Sequence, residues 1–501
     1  MKWLGCLAVG AMMALPTAAQ AGWREAETPH FQIYSDGGET QLVDFAQRLE
    51  GLDALLHKAT GFPASSDPTK VRVIMLQTMA MVQKASHQRN PNLAGFYTVN
   101  IEGPIAVSSY SKDSDYTTTP EITLFHEYAH HFMLEYFPAS YPAWYIEGFA
   151  EIASTSEPAG GGRMSFGKAA SHRGYSLTSS RWIPVQQLLD ATYASSPEDS
   201  DFYGESWLLA HYLTFAPKRQ GQLRKYLGAL ESGVPNPAAA KAAFGDLDQL
   251  NRDARIYLEQ ANFTYHAVPI ALPARDTIKV SELSPGASDL MEESASLSDA
   301  MSKEEMAAYL ANLKQKAARY PDDPYALQLL ADAEYLAGDY AASGAAIDRL
   351  LALTPNSVPG RVRKAMVLLQ EADTLNGSAR EARIAQARRL IVAANQSAVN
   401  DPGPLVAYYR SFVVAGERPP RQAIEGLMQA VGTIPADPGP RMMLVNELVR
   451  DGRLAEAIAY LEPLAYDPHR GRGRNGALEL MQSLKQRLAA SANQAPARPA
   501  S

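Results

Sequence analysis

The sequence contains one cysteine in 501 residues, Cys6. If the N-terminal segment that holds it is removed, the mature chain has none, and disulfide bridges and thiol catalysis are both excluded. An excess of positive charge is also missing: 46 Lys and Arg stand against 54 Asp and Glu, a formal net charge of −8. That argues against nucleic acid as a partner, because nucleic-acid binders present a basic face. No run is apolar for long enough to cross a bilayer, so no membrane-spanning helix is expected. What is present is the balance of an ordinary globular protein, 46% hydrophobic and 20% charged. At 501 residues the chain exceeds a single hydrophobic core, and two or three domains are expected.

The first 21 residues, MKWLGCLAVGAMMALPTAAQA, place Lys2 ahead of an apolar stretch from Trp3 to Leu15. They close on a small-x-small site at Ala19-Gln20-Ala21. This is the layout of a secretory signal peptide, with cleavage expected after Ala21 and an exported, periplasmic or secreted product. An uncleaved anchor is the alternative, disfavoured by the shortness of the run. Cys6 lies too near the start for a convincing lipoprotein box.

Past the signal, residues 30–35 alternate as a strand does, and residues 40–59 carry Leu42, Phe45, Leu49, Leu52 and Leu56 at helical spacing. Residues 70–77 form a β-branched run, and 94–99 and 105–109 read as two strands joined at Glu102-Gly103-Pro104. A small sheet with a packed helix thus precedes the first strong helix. That helix opens at Thr119-Pro120-Glu121, a cap, a first-position proline and an acid facing the helix dipole. It is apolar on nearly every side, which predicts a central, buried helix. Pro142 opens a second helix that stops before Pro158. Further helices are expected around 184–190, 204–216, 218–231 and 247–261.

The first of these helices contains His126-Glu127-Tyr128-Ala129-His130. Two histidines four residues apart point the same way, about one turn apart, and both imidazoles can bind one tetrahedral metal. Glu127 lies roughly 100° around the helix and can reach a bound water without ligating the metal. Zinc lowers the pKa of such a water, and the glutamate takes its proton as it attacks a carbonyl. Chance alone yields this pentapeptide in about one chain in a hundred of this length. Context strengthens it, since a buried His-Glu-His cluster is costly unless a metal compensates it. A third ligand is needed, and Glu147, 17 residues after His130, lies on the next predicted helix. Glu151, four residues on, shares its face and is placed to accept from the second nitrogen of His126. The competing reading is a solvated helix face, but both acids lie among Trp144, Ile146, Phe149 and Ile152.

HEYAH followed by WYIEGFAE resembles the gluzincin metallopeptidases, the class of thermolysin and aminopeptidase N. The second element is similar to the WLxEGxA segment of aminopeptidase N-like enzymes. The resemblance implies one Zn²⁺ held by His126, His130 and Glu147, with Glu127 as general base and Glu151 behind His126. It covers roughly residues 22–265. The GxMEN segment of aminopeptidases is missing, so aminopeptidase activity is not implied. Gluzincins meet the oxyanion with a Tyr or His donor. Residues 201–212 look like the YxxSWxLxHYL helix of such peptidases, which makes Tyr203 the first candidate and His211 the second, each with an ordinary core residue as its competing reading. By the same analogy, 94–100 or 105–109 forms the cleft rim, where a free edge could pair with an extended peptide. His131 points to another face and reads as a packing or capping residue. The isolated His30, His57, His87, His172, His266 and His469 read as structural or exposed.

The text changes near residue 300. The segment 321–355 carries Leu327, Leu330 and Ala331, then Gly338, Tyr340, Ser343 and Ile347, and resembles a tetratricopeptide repeat. A second copy is 441–468; 402–435 is a degenerate one, 361–395 another with an inserted loop, and 303–320 a front cap. The expected organisation is a signal peptide at 1–21, a metallopeptidase domain at 22–266 and a linker at 267–300 that holds a strand or two. Helical repeats at 301–490 and a disordered tail at 491–501 complete it. The fold class is therefore α+β with an all-α repeat stack behind it. The predicted partners are a peptide or protein substrate and a protein held by the repeats, whose other reading is a cap that stabilises the peptidase. Two rival functions stand beside the zinc peptidase. One is a repeat adaptor with a relic domain, which the intact His126, Glu127, His130 and Glu147 set opposes. The other is a zinc hydrolase of a non-peptide bond.

Overall fold

The computed structural model describes residues 22–65, 68–87, 93–110, 119–137, 141–179, 182–191, 199–260, 262–466 and 475–494. The expected signal peptide, the Arg470–Arg474 loop and the last residues of the tail lie outside them.

The described strands are β1 (Arg24–Glu27), β2 (Phe31–Ser35), β3 (Val71–Leu76), β4 (Gly95–Asn100), β5 (Gly103–Ser109), β6 (Arg163–Phe166), β7 (His266–Pro269) and β8 (Lys279–Glu282). Six of them form one sheet in the order β4-β5-β3-β2-β1-β8, and β6 pairs with β7 separately. β2, β3 and β5 run parallel, while β1, β4 and β8 are antiparallel to their neighbours. β3 is central and covered on both faces, which is why VRVIML reads as a nearly unbroken apolar run. β4 is an edge strand.

The helices of this part are α1 (Glu39–Thr60), α2 (Met79–Ser86), α3 (Pro120–Tyr136), α4 (Ala143–Ser154), α5 (Gly174–Ser179), α6 (Val185–Asp190), α7 (Asp199–Phe215), α8 (Gln222–Glu231), α9 (Asn236–Phe244) and α10 (Leu247–Leu258). α1 and α3 bury Leu49, Leu52, Phe125 and Phe132 against Phe31, Ile33 and Val73 on one sheet face. α2 covers the other face, where Val82 meets Ile74, Leu76 and Val107. α3 starts as its sequence predicts: Thr119 accepts from the Ile122 amide at 3.2 Å, with Pro120 in the first turn. Gly148 of α4 permits one close approach, and the space left by its missing side chain is needed toward α7 rather than toward α3. A Cβ there would stand 2.4 Å from Ser206 O and 2.7 Å from Ala210 Cβ, both on α7. The glycine thus seats α4 on α7.

Residues 267–300 hold a strand, as the sequence reading allows, and a helix that it does not place. β8 extends the main sheet by pairing with β1. α11 (Pro285–Ser296) buries Met291 and Ala295 against the same sheet face as α2. Beyond it come α12 (Lys303–Ala317), α13 (Pro324–Leu336), α14 (Tyr340–Leu353), α15 (Val358–Asp373), α16 (Gly377–Ser397), α17 (Pro402–Ala415), α18 (Arg421–Thr433), α19 (Pro438–Arg450), α20 (Leu454–Ala465) and α21 (Gly476–Gln494). α13 to α20 are four helical pairs, the repeat-like half that the sequence predicts. Proline or aspartate opens most first helices, with Asp323, Asp401 and Asp437 accepting from first-turn amides. The loop expected within 361–395 is absent: the extra residues lengthen α16, which has 21 residues. α21 carries on to Gln494, past the predicted start of the tail.

Candidate metal centre

α3 and α4 bring three donor atoms together. His126 Nε2 lies 3.0 Å from His130 Nε2 and 3.2 Å from Glu147 Oε2, and His130 Nε2 lies 3.5 Å from the same oxygen. Tetrahedral N and O ligands about 2.0–2.1 Å from one zinc ion stand roughly 3.3–3.4 Å from each other. The three edges bracket that value, so the residues present fit a single Zn²⁺. The chemistry of the set agrees. Glu151 is a carboxylate and can only accept, so His126 offers it Nδ1–H at 3.3 Å and turns the Nε2 lone pair toward the other two donors. Lone pairs crowded in a buried site need a proton or a cation between them.

Access is from one side. Glu147 is fully buried and His130 keeps 2% of its side-chain surface, while His126 keeps 12%. Burial opposes charging of the His126 imidazole, but Glu147 and Glu151 overcome it and raise its pKa to about 10. Burial likewise opposes ionisation of Glu147, and His130 and His126 hold it below the usual carboxylate range. The site is therefore built to hold positive charge beside an ionised glutamate.

Glu151 has further partners that spacing does not reveal. His172 Nε2 meets its Oε2 at 2.8 Å. Arg173 donates to its Oε1 from Nε at 3.1 Å and from an Nη at 2.5 Å. Both lie on a 3-10 turn, Ser171–Arg173. His172, expected as structural or exposed, keeps 2% of its side-chain surface. The Arg173 guanidinium also sits 4.9 Å above the Tyr203 ring.

Tyr203 lies beside the cluster, with its ring centroid 5.8 Å from that of His126. Glu127 is half-buried on α3. Burial raises the Tyr97 phenol above its ordinary pKa, and the carboxylates of Glu135 and Glu127 add to this. His211 is elsewhere. It is eight residues past Tyr203 on α7, about 12 Å along the axis. Its Nε2 donates to Gly167 O at 2.7 Å, and its Nδ1 accepts from Tyr257 at 2.9 Å. With both nitrogens engaged in the core, it is not among the groups gathered at the cluster. His131 is bound to Tyr97 at 2.9 Å and to Glu135 at 3.2 Å, a packing role.

A second acidic cluster joins α1 to α3. His30 uses Nδ1 on Glu50 at 2.8 Å and Nε2 on Asp53 at 3.5 Å, so both ring nitrogens face carboxylates. Asp53 accepts from Tyr128 of the motif helix at 2.7 Å. A shared proton satisfies this set, which braces the back of α3.

No family model and no curated protein matches the chain. Among solved structures, the chain is similar to a thermophilic TPR protein of Thermus thermophilus, with 21% identity and a TM-score of 0.30, over 38% of this chain and 91% of that one.

Proposed function

We propose that this chain is an exported zinc-dependent peptide hydrolase of the gluzincin type. The observation that supports it most is the convergence of His126, His130 and Glu147 within 3.5 Å on two packed helices, with Glu151 behind His126. Zn²⁺ bound there supplies Lewis acidity, which polarises a substrate carbonyl and acidifies water. Glu127, next to His126 but outside the ligand set, takes the proton of the attacking water and returns it to the departing amine. Tyr203 presents its hydroxyl to the oxygen that gains charge. Glu151 keeps His126 in the Nδ1–H tautomer, and Arg173 keeps Glu151 ionised. The outer edge of β4, which pairs with no further strand among the described residues, would offer its backbone groups to an extended peptide lying alongside the motif helix.

Metal analysis tests the reading directly. One zinc per chain is expected in the wild type, with none retained after His126→Ala or Glu147→Ala. Glu127→Gln should keep the metal and lose turnover of a peptide library by about 10²–10⁴-fold. A wild-type chain without stoichiometric zinc, or a fully active Glu127→Gln, refutes it.

A further inference from the structure

The tip of the β4–β5 hairpin leaves the sheet and enters the helical half. Ile101 packs against the cluster formed by Val406 and Tyr409 of α17, Leu427 of α18 and Leu444 of α19. Glu102 pairs with Arg72 of β3 at 3.5 Å. It also acts electrostatically on Asp332 of α13, Arg363 of α15 and Asp401 at the start of α17. These are the first helices of successive pairs, and they pack side by side, so the tip rests on the inner face of the stack. Nearby, Thr69 donates to the Thr433 carbonyl at 3.0 Å. Tyr325 of α13, Phe96 of β4 and Ile105 of β5 all pack on one apolar cluster.

The other end of β4 reaches the candidate centre. A Cβ at Gly95 would stand 3.2 Å from Thr123 Cγ2 of α3. Tyr97 holds His131, the residue after the second motif histidine, at 2.9 Å. A continuous line of contacts therefore runs from the repeats through the hairpin tip and β4 to the motif helix.

We infer that the repeats serve the centre from within: their inner face holds the Ile101–Glu102 tip and so fixes the edge strand β4 beside the HExxH helix. Its catalytic consequence rests on the peptidase reading, whereas the contact itself does not. Arg363 is central to the grip. It binds Asp332 at 2.6 Å and faces Glu102, so its loss leaves Arg72, 3.5 Å from Glu102, as the remaining cation named against Glu102, Asp332 and Asp401, and the balance at the tip shifts toward repulsion. Ile101 supplies the apolar part of the contact.

The test uses the full chain with Ile101→Ser and Arg363→Met, followed by peptide-resolved hydrogen exchange over residues 95–109. Exchange should speed up about tenfold or more in both variants, while zinc per chain stays at the wild-type value. KM for an extended peptide should rise severalfold. Adding Glu102→Gln to Arg363→Met should restore part of the protection, because it removes one of those carboxylates. Val392→Ser, at an exposed position on α16, should change nothing. Wild-type exchange rates in both variants, with circular dichroism showing them folded, would overturn the inference. If Arg363→Met does not fold, Ile101→Ser decides the question alone. Faster exchange in a chain that cleaves no peptide, wild type included, sinks the peptidase reading and leaves the positioning role standing.

Discussion

His211 shows how one side chain of a suggestive motif helix can belong to the core. Burial lowers its pKa from 6.5 to about 4, against hydrogen bonds that favour the charged form. The unfolded chain takes up a proton near pH 6.5 that the folded chain refuses until about pH 4. Stability from this residue is therefore complete above pH 6.5 and falls as the pH drops through that window, by roughly 3 kcal/mol in all. Denaturant unfolding at pH 7.5 and 4.5 measures it. His211→Gln should lose stability at pH 7.5, flatten the acid limb and keep zinc; loss of zinc would return His211 to the centre. The contrast with Glu147 and Glu151 is instructive. Their positions were legible because a helix converts a spacing of four into a shared face. His172 and Arg173 were not, since they reach Glu151 from a 3-10 turn more than 20 residues away and no period marks such a contact. Tyr203 and His211 share one stretch of text, and only the packing of α7 separates them.

At the scale of elements, local chemistry made the starts of helices readable. The Thr119 cap and Pro120 place the first turn of α3 where the sequence predicts it. Contacts between elements were less readable, as Gly148 shows. A glycine in an apolar helix signals that something comes close, but it does not say which neighbour. The partner proves to be α7. Gly148→Ala should therefore destabilise the chain by about 1–3 kcal/mol, because the nearest atom is a backbone carbonyl that cannot move aside. Gly228→Ala supplies the comparison. It lies within α8 with open space around its Cβ position, so the same change should stabilise by about 0.5–1 kcal/mol. Thermal unfolding of the pair reads both signs. Equal shifts in the same direction would mean that helix propensity alone accounts for Gly148. α2, β1 and β6 are also missing from the sequence reading, and in β1 the segment REAE holds a single apolar residue, so no alternation of apolar and polar side chains marks it.

Across the whole molecule, the sheet is shared by parts of the chain that composition alone separates. Residues 267–300, rich in Pro, Ser and Ala, read as a linker with a strand or two, and the twelve-residue helix within them leaves little trace in composition. Yet β8 closes one end of the sheet, and α11 seals a face of it with Met291 and Ala295 against Trp23, Ile74 and Val107. Tyr325, already inside the first helical pair, packs on the same cluster. The boundary suggested by text at residue 266 therefore cuts through a core. A chain ending at 266 should lose the partner of β1 and expose that apolar face, and so should bind a hydrophobic dye and aggregate. A chain ending at residue 300 keeps both elements and should be markedly more soluble, although it still lacks Tyr325. Because Trp23 and Leu283, the residues flanking β1 and β8, share one cluster with α11 and with Tyr325 of the first repeat helix, the full chain should unfold in a single calorimetric transition. Two well-separated transitions, with the 266-residue form as soluble as the 300-residue one, would show that the sheet and the repeats hold together independently.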